Sequence, residues 1–378
     1  MDELSLSSRE RIPRETRFVP LRYLTPFAFL ALLPLGASLG GAWTFMAAAA
    51  TPLFLAGLDW VLGDEPGHGP GRDVPRSVPR LYVVLQLAAM AWAASRVMRT
   101  QASFLEVVGL AASAGVTMGV FGFLAAHEMV HSRDRRERGL GLVLLATVFY
   151  MHFRIAHVYG HHRRAATKED PASARLGEGL YRFLVRSIGG QVREAFVFEA
   201  ERLQRKGRPV LSFGNRMIVY FTTESMLLLT LIFLSWRAAA FVVAVAVIAV
   251  VLLEAFNYIA HYGLGREISA AGRIERLAPH HSWNSARRMN NAALFNMGRH
   301  SNHHSRPVER YERLEPVAGE AELPFGYAAA LLTALFPPVW RRLMDGRVAS
   351  WSMERAEQIS TPVAACPPLI PERRSTNN

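Results

Sequence analysis

Residues 103–131 read SFLEVVGLAASAGVTMGVFGFLAAHEMVH. Residues 103–126 are apolar over a length that crosses a bilayer, which takes about 20 residues per helix. The run ends directly in HEMVH, residues 127–131. If the helix continues through that motif, His127 and His131 stand at i and i+4 on one face. The stretch therefore predicts a membrane span that carries two imidazoles side by side at its end.

Five further stretches have the same apolar character: 22–38, 42–60, 81–98, 217–235 and 238–260. The first holds Pro26 and Pro34, so its ends are the least defined. The second stretch and 103–126 are rich in Ala and Gly, which suits close helix packing in lipid. Another stretch, 139–156, contains His152 and Arg154 and reads as a helix dipping into the interface rather than a span. The fold class expected is all-α: a polytopic membrane protein with about six transmembrane helices and a His-rich cytoplasmic domain.

Composition agrees. Of 378 residues, 51% are hydrophobic and 20% charged, and the mean hydropathy is +0.12. That apolar load excludes a disordered or collagen-like chain. A single cysteine, Cys366, excludes a disulfide-built domain and any Cys-ligated metal centre within the chain. The net charge of +12 does not indicate nucleic acid, because the basic residues lie between apolar runs. Residues 127–215 alone carry 14 Arg and 2 Lys against 9 Asp and Glu. The positive-inside rule places that segment, both termini and the 61–80 loop, with Arg72, Arg76 and Arg80, in the cytoplasm. The N-terminal residues lack the short apolar core of a cleaved signal peptide.

The expected organisation is a cytoplasmic N-terminal segment (1–21), four spans (22–126) and a cytoplasmic His-rich segment (127–216). Two more spans (217–260), a second His-rich segment (261–350) and a disordered tail (351–378) follow.

Nine of the 13 histidines fall in four tight groups: His127 and His131; His157, His161 and His162 in HVYGHH; His261 in NYIAHYG; and His300, His303 and His304 in RHSNHH. Spaced at i and i+4, His157 and His161 are expected to share a helix face as His127 and His131 do. His127 and His261 each end a span that emerges on the same side, so all nine can meet at one cytoplasmic surface. His68, His152 and His280 read as ordinary interfacial or packing residues.

HEMVH also matches the HExxH zinc signature, with Glu128 as a candidate base. A catalytic zinc uses three protein ligands and one open position, so nine histidines are too many. They suit two metals with four or five imidazoles each. Neutral imidazole serves iron, copper, zinc or nickel. Two His-rich sites beside apolar spans suggest iron, O2 activation and a lipid-like substrate.

HEMVH, HVYGHH followed by ATKEDPASARLGE, NYIAHYG, HSWNS and RHSNHH occur here in that order. With Leu58-Asp59 and Gly63-Asp64 after the second span, they resemble the membrane alkane 1-monooxygenase family over residues 20–320. The resemblance implies a six-helix di-iron enzyme that hydroxylates a terminal methyl group. Electrons would come from a separate rubredoxin or ferredoxin with its reductase, and membrane lipid would surround the spans. It implies that the nine histidines hold two Fe, that Asp170 and Glu128 support ligands by hydrogen bonds, and that Asn257 and Tyr258 shape the site. Ser282, Trp283 and Asn284 would brace the 300–304 group. Four positions depart from the family pattern: Ala156 and Ala260 replace glutamates, and Gly298 and Asn302 replace Gln and Asp. Fewer anions around the ligands imply a more positive site with altered redox tuning.

Three other readings compete. A membrane fatty-acid desaturase or lipid hydroxylase uses similar histidine groups. An intramembrane zinc metalloprotease would use HEMVH with Asp59 and leave most histidines idle. A non-catalytic metal-binding or transport protein is the third, and transport would want mid-membrane polar residues, of which Glu224 and Glu254 are the clearest.

Overall fold

The computed structural model describes residues 21–65, 77–268 and 272–360. His68, Arg72, Arg76, Cys366 and residues 361–378 lie outside the described residues.

The span that opens the reading begins where its chemistry dictates. The Ser103 hydroxyl accepts from the Glu106 amide at 3.3 Å, while the Glu106 carboxylate accepts from the Ser103 amide at 2.9 Å. This reciprocal cap satisfies backbone donors that a helix start leaves free. The helix then runs unbroken from Phe104 to His131. It contains one π turn, Met118–Gly122, within a Gly-rich stretch.

Five helices are long and apolar enough to cross a membrane: Gly41–Leu62, Ser77–Arg99, Phe104–His131, Arg216–Leu234 and Trp236–His261. The first predicted stretch forms a shorter apolar helix, Thr25–Leu39, with Pro34 inside it. Its 15 residues rise about 22 Å, short of the roughly 30 Å hydrocarbon core. Trp60, Phe104, Phe233 and Trp236, at span ends, are each more than 70% exposed. Aromatic rings there suit the membrane–water interface.

The bundle centre is the pair Phe104–His131 and Trp236–His261. A Cβ on Gly115 would lie 2.7 Å from Ile248, and one on Gly119 would lie 2.9 Å from the Ala249 Cα. Glycine at these two positions lets the helices touch backbone to side chain. The C-terminal ends of both helices, His131 and His261, therefore come close together.

Below them, the predicted dipping helix is interrupted. The Arg135–Ala146 helix starts on an Asp134 cap, 2.8 Å from the Arg136 amide, and stops at Ala146. Turns lead to a short helical segment, residues 153–164, with a second π turn at Ala156–His161. His152 is buried with its ring 4.3 Å from Tyr150 and both ring nitrogens without a hydrogen-bond partner, so it is packed among neighbours rather than satisfied at the interface as expected. A 25-residue helix, Leu180–Gln204, packs against Trp236–His261. Strand structure is limited, among the described residues, to Trp283–Asn284 paired in parallel with Ala321–Glu322 and two isolated bridges.

The expected boundary of the tail needs correction. The helix Pro337–Ser360 carries residues 351–360 in regular structure. The segment WSMERAEQ holds Met, Glu, Arg, Ala and Gln, all good helix formers, ahead of the first proline at Pro362.

Candidate metal centre

All nine predicted histidines converge. His127, His131, His157, His162 and His303 bring their ring nitrogens within 4.8 Å of one another, and His161, His261, His300 and His304 do the same. The two groups adjoin, with the His162 and His304 rings 4.7 Å apart.

One expectation is corrected. His157 and His161 do not share a group. The π turn between them carries more residues per turn than an α-helix, so i and i+5 face each other instead. His157 pairs with His162, Nε2 to Nε2 at 3.0 Å, and His161 swings into the second group. The α-helical pair His127 and His131 shares one group as expected, and His300 and His304, also four apart, share the other.

The Nε2 atoms approach too closely for ordinary packing. His127 and His157 are 2.9 Å apart, His131 and His162 3.1 Å, His162 and His303 3.2 Å. In the second group His261 and His300 are 3.2 Å apart, and His300 and His304 3.0 Å. Nitrogens at about 2.1 Å from a common metal lie about 3.0 Å apart on an octahedral edge and about 3.4 Å on a tetrahedral one. The donor set therefore fits two metal ions, one in each group. Burial, then neighbouring imidazoles, holds His157, His162, His300, His303 and His304 well below the usual histidine range. Neutral imidazole is the form that ligates metal.

Asp170 stands where a ligand-orienting carboxylate should. Its Oδ2 is 2.8 Å from His161 Nδ1 and accepts the Ser173 hydroxyl at 2.6 Å. Burial pushes the Asp170 carboxyl up, but His161 and the Ser173 hydroxyl more than offset this and hold it below its ordinary value. With Nδ1 engaged, His161 Nε2 is left for metal. His261 Nδ1 points instead at the His281 backbone carbonyl, 3.2 Å away. The brace beneath 300–304 forms in part: Asn284 accepts the Ser301 amide at 2.8 Å and donates to the Ser301 hydroxyl at 2.6 Å, whereas the Trp283 indole donates to the Tyr262 carbonyl instead.

The three other candidate residues separate. Glu128 does not join the cluster, because i and i+1 point to different sides of a helix. It lines a distinct polar pocket with Arg80, His131 and Arg310. The Tyr258 hydroxyl donates to the Glu178 carbonyl at 2.6 Å, and its ring packs on Phe183, Tyr262 and Trp340. Asn257 does reach the site: it lines a cavity beside the histidines.

The departures from the family pattern have structural consequences. Ala156 and Ala260 are buried and offer no carboxylate. A Cβ on Gly298 would lie 2.2 Å from the Asn291 Oδ1, so the bend accepts only glycine as packed. Asn302 Oδ1 and the Nδ1 atoms of His127, His162, His300 and His304 are buried without a hydrogen-bond partner.

Two polar features escaped the sequence reading. Glu254, named there only as an intramembrane acid, accepts from Ser187 at 2.6 Å, Gln191 at 2.8 Å, Tyr150 at 3.0 Å and Asn257 at 3.4 Å. Asp59 caps the Arg288–Ala293 helix, accepting the Met289 and Asn290 amides at 2.8 and 3.0 Å. Apart from Asn257, their partners are far away in sequence, so no local pattern marks them.

A cavity of ≈ 270 Å³ opens above the clusters. Its wall is apolar, with Leu55, Val120, Phe123, Phe153 and Leu253 among the lining residues. Its floor reaches His127 and His157 of one group and His300 of the other. Val116 and His127 both line it, eleven residues apart on one helix, so it runs about 16 Å. Val116→Trp is expected to shorten the longest substrate accepted while leaving bound metal unchanged, read as a chain-length profile of products. A profile identical to the parent's would show that this cavity does not hold the substrate.

The comparisons with known proteins agree with this arrangement. The family model described as fatty acid desaturase matches residues 103–334. An alkane 1-monooxygenase 2 of Pseudomonas aeruginosa is 35% identical over 329 residues, covering 84% of this chain and 87% of the relative. The chain belongs to the alkane 1-monooxygenase family.

An alkane 1-monooxygenase of Acinetobacter baylyi is 38% identical, over 77% of this chain and 73% of its own. A more distant relative, at 28% identity over 88% of this chain and 90% of its own, is a xylene/toluene monooxygenase hydroxylase component of Pseudomonas putida. This alkane 1-monooxygenase family member is an O2-dependent oxidoreductase and a membrane protein.

Proposed function

We propose that the enzyme hydroxylates the terminal methyl group of an n-alkane or similar apolar substrate at a pair of iron ions. The observation that carries this reading is the apolar cavity whose floor touches histidines of both groups. The balanced reaction consumes the hydrocarbon, O2, two electrons and two protons, and yields the primary alcohol and water. Iron bound by the nine histidines supplies the reduction of O2 that makes this possible. The residues of the chain supply position. The cavity walls align an extended chain so that its end meets the histidine floor, and that alignment removes much of the entropic barrier. Phe123 and Phe153 flank the floor and keep water from the reacting carbon. Asp170 keeps His161 in the tautomer that ligates. Asn257, held by Glu254, is a polar group at the cavity wall that shapes the reacting end.

The electron source we propose is a rubredoxin or ferredoxin with its reductase, which docks on the arginine-rich side of an inner membrane that faces the cytoplasm. The charge distribution between spans supports that orientation, and long-range attraction favours an acidic carrier.

The test is product analysis by gas chromatography–mass spectrometry. Cells carrying this chain with a rubredoxin and its reductase receive n-alkanes, alkyl-aromatics, terpenes and fatty acids under 18O2. A terminal alcohol of an alkane carrying the label is the expected result. A product lighter by two hydrogens would reassign the enzyme to desaturation, and labelled benzylic alcohol alone would move the substrate class to alkyl-aromatics.

A further inference from the structure

Glu275, His280 and His281 form a third cluster of metal-type ligands, outside the nine histidines. Its hydrogen bonds decide against a metal. The Ala278 amide donates to His281 Nδ1 at 2.9 Å, which leaves the proton of the neutral ring on Nε2. That Nε2 lies 3.2 Å from Glu275 Oε2 and donates to it. Oε2 also accepts the Glu267 amide at 3.2 Å. Oε1 receives His280 Nε2 at 3.2 Å and Arg355 at 2.5 Å. Four donors saturate the carboxylate, and the guanidinium already supplies the positive charge that a cation would bring.

What the cluster does is fix His281, which is fully buried. The His281 backbone carbonyl is the partner of His261 Nδ1 at 3.2 Å. Arg355 lies on the C-terminal helix Pro337–Ser360, and that helix makes a second attachment beside His261: the Tyr262 hydroxyl donates to Asp345 at 2.6 Å. We propose that Glu275, clamped by Arg355, is a positioning residue for the second metal site: through His281 it sets the orientation and tautomer of His261. It does by a backbone carbonyl what Asp170 does for His161 directly, at a site where Ala260 offers no carboxylate. The inference rests on the reading that the two histidine groups hold iron.

The experiment uses the full-length protein in lipid nanodiscs, loaded with 57Fe. The parent should hold about two iron per chain, with the two sites resolved by Mössbauer spectroscopy. In Glu275→Ala, loss of iron to a chelator should quicken about 10- to 100-fold at one site. The spectrum of that site alone should change. Arg355→Gln should show a weaker form of the same loss, and Arg355→Lys should restore most of the parent's retention. A role confined to folding would instead lower the melting temperature and release both irons together, and that result overturns the proposal. So does a Glu275→Ala protein whose two sites match the parent's. A parent without bound iron would overturn the metal reading itself, and this inference with it.

Discussion

His161→Ala is expected to abolish product formation and to remove iron from the second histidine group at once. His161 is the histidine of that group held by a carboxylate, with Asp170 at 2.8 Å from its Nδ1. Four imidazoles, His161, His261, His300 and His304, form the group. Removing one leaves three and takes from the buried Asp170 one of its donors, with the Ser173 hydroxyl and the Ala172 amide remaining, a loss of about 1.5–3 kcal/mol. Iron content should fall to about one per chain or less, and turnover should drop at least about 1,000-fold, since the loss of a ligand acts on binding and chemistry together. Retention of both iron and activity would remove His161 from the ligand set.

The second large effect is expected at a residue that touches no metal. Glu254→Leu takes away the acceptor for Tyr150, Ser187, Gln191 and Asn257. Glu254, Ser187 and Gln191 are almost wholly buried, so the stranded donors find no water. A buried donor left unpaired costs about 1–3 kcal/mol. The loss should exceed about 3 kcal/mol and lower the melting temperature by several degrees in nanodiscs. Product formation should fall as well, because Asn257 loses its anchor at the cavity wall. An unchanged melting temperature would mean that water or another group satisfies the network.

The fold was legible wherever one physical rule dominates locally. Apolar length marks the helices Gly41–Leu62, Ser77–Arg99, Phe104–His131, Arg216–Leu234 and Trp236–His261, because the bilayer demands it. The nine histidines were legible because one residue type recurs in four tight groups, and the fold brings those groups into two clusters. What the sequence hid is irregular or long-range. The π turn at Ala156–His161 exchanges the partners of His157, and nothing in HVYGHH separates i+4 from i+5 spacing. The break after Ala146 was invisible because apolar residues continue through Val148 and Phe149. Asp59 meets distant partners, and Glu254, besides Asn257, meets partners more than 60 residues away, so the folded chain defines their roles. Tyr258 stands in a site motif but serves packing.

The greasy wall of the ≈ 270 Å³ cavity also governs what leaves it. Most of its surface can neither donate nor accept a hydrogen bond. A hydrocarbon loses nothing by entering such a place, whereas a newly made alcohol leaves its hydroxyl poorly solvated there, at a penalty of about 1–3 kcal/mol. That difference is roughly a tenfold to hundredfold bias toward expulsion. If the substrate sits there as proposed, the lining that takes up the reactant also favours release of its product.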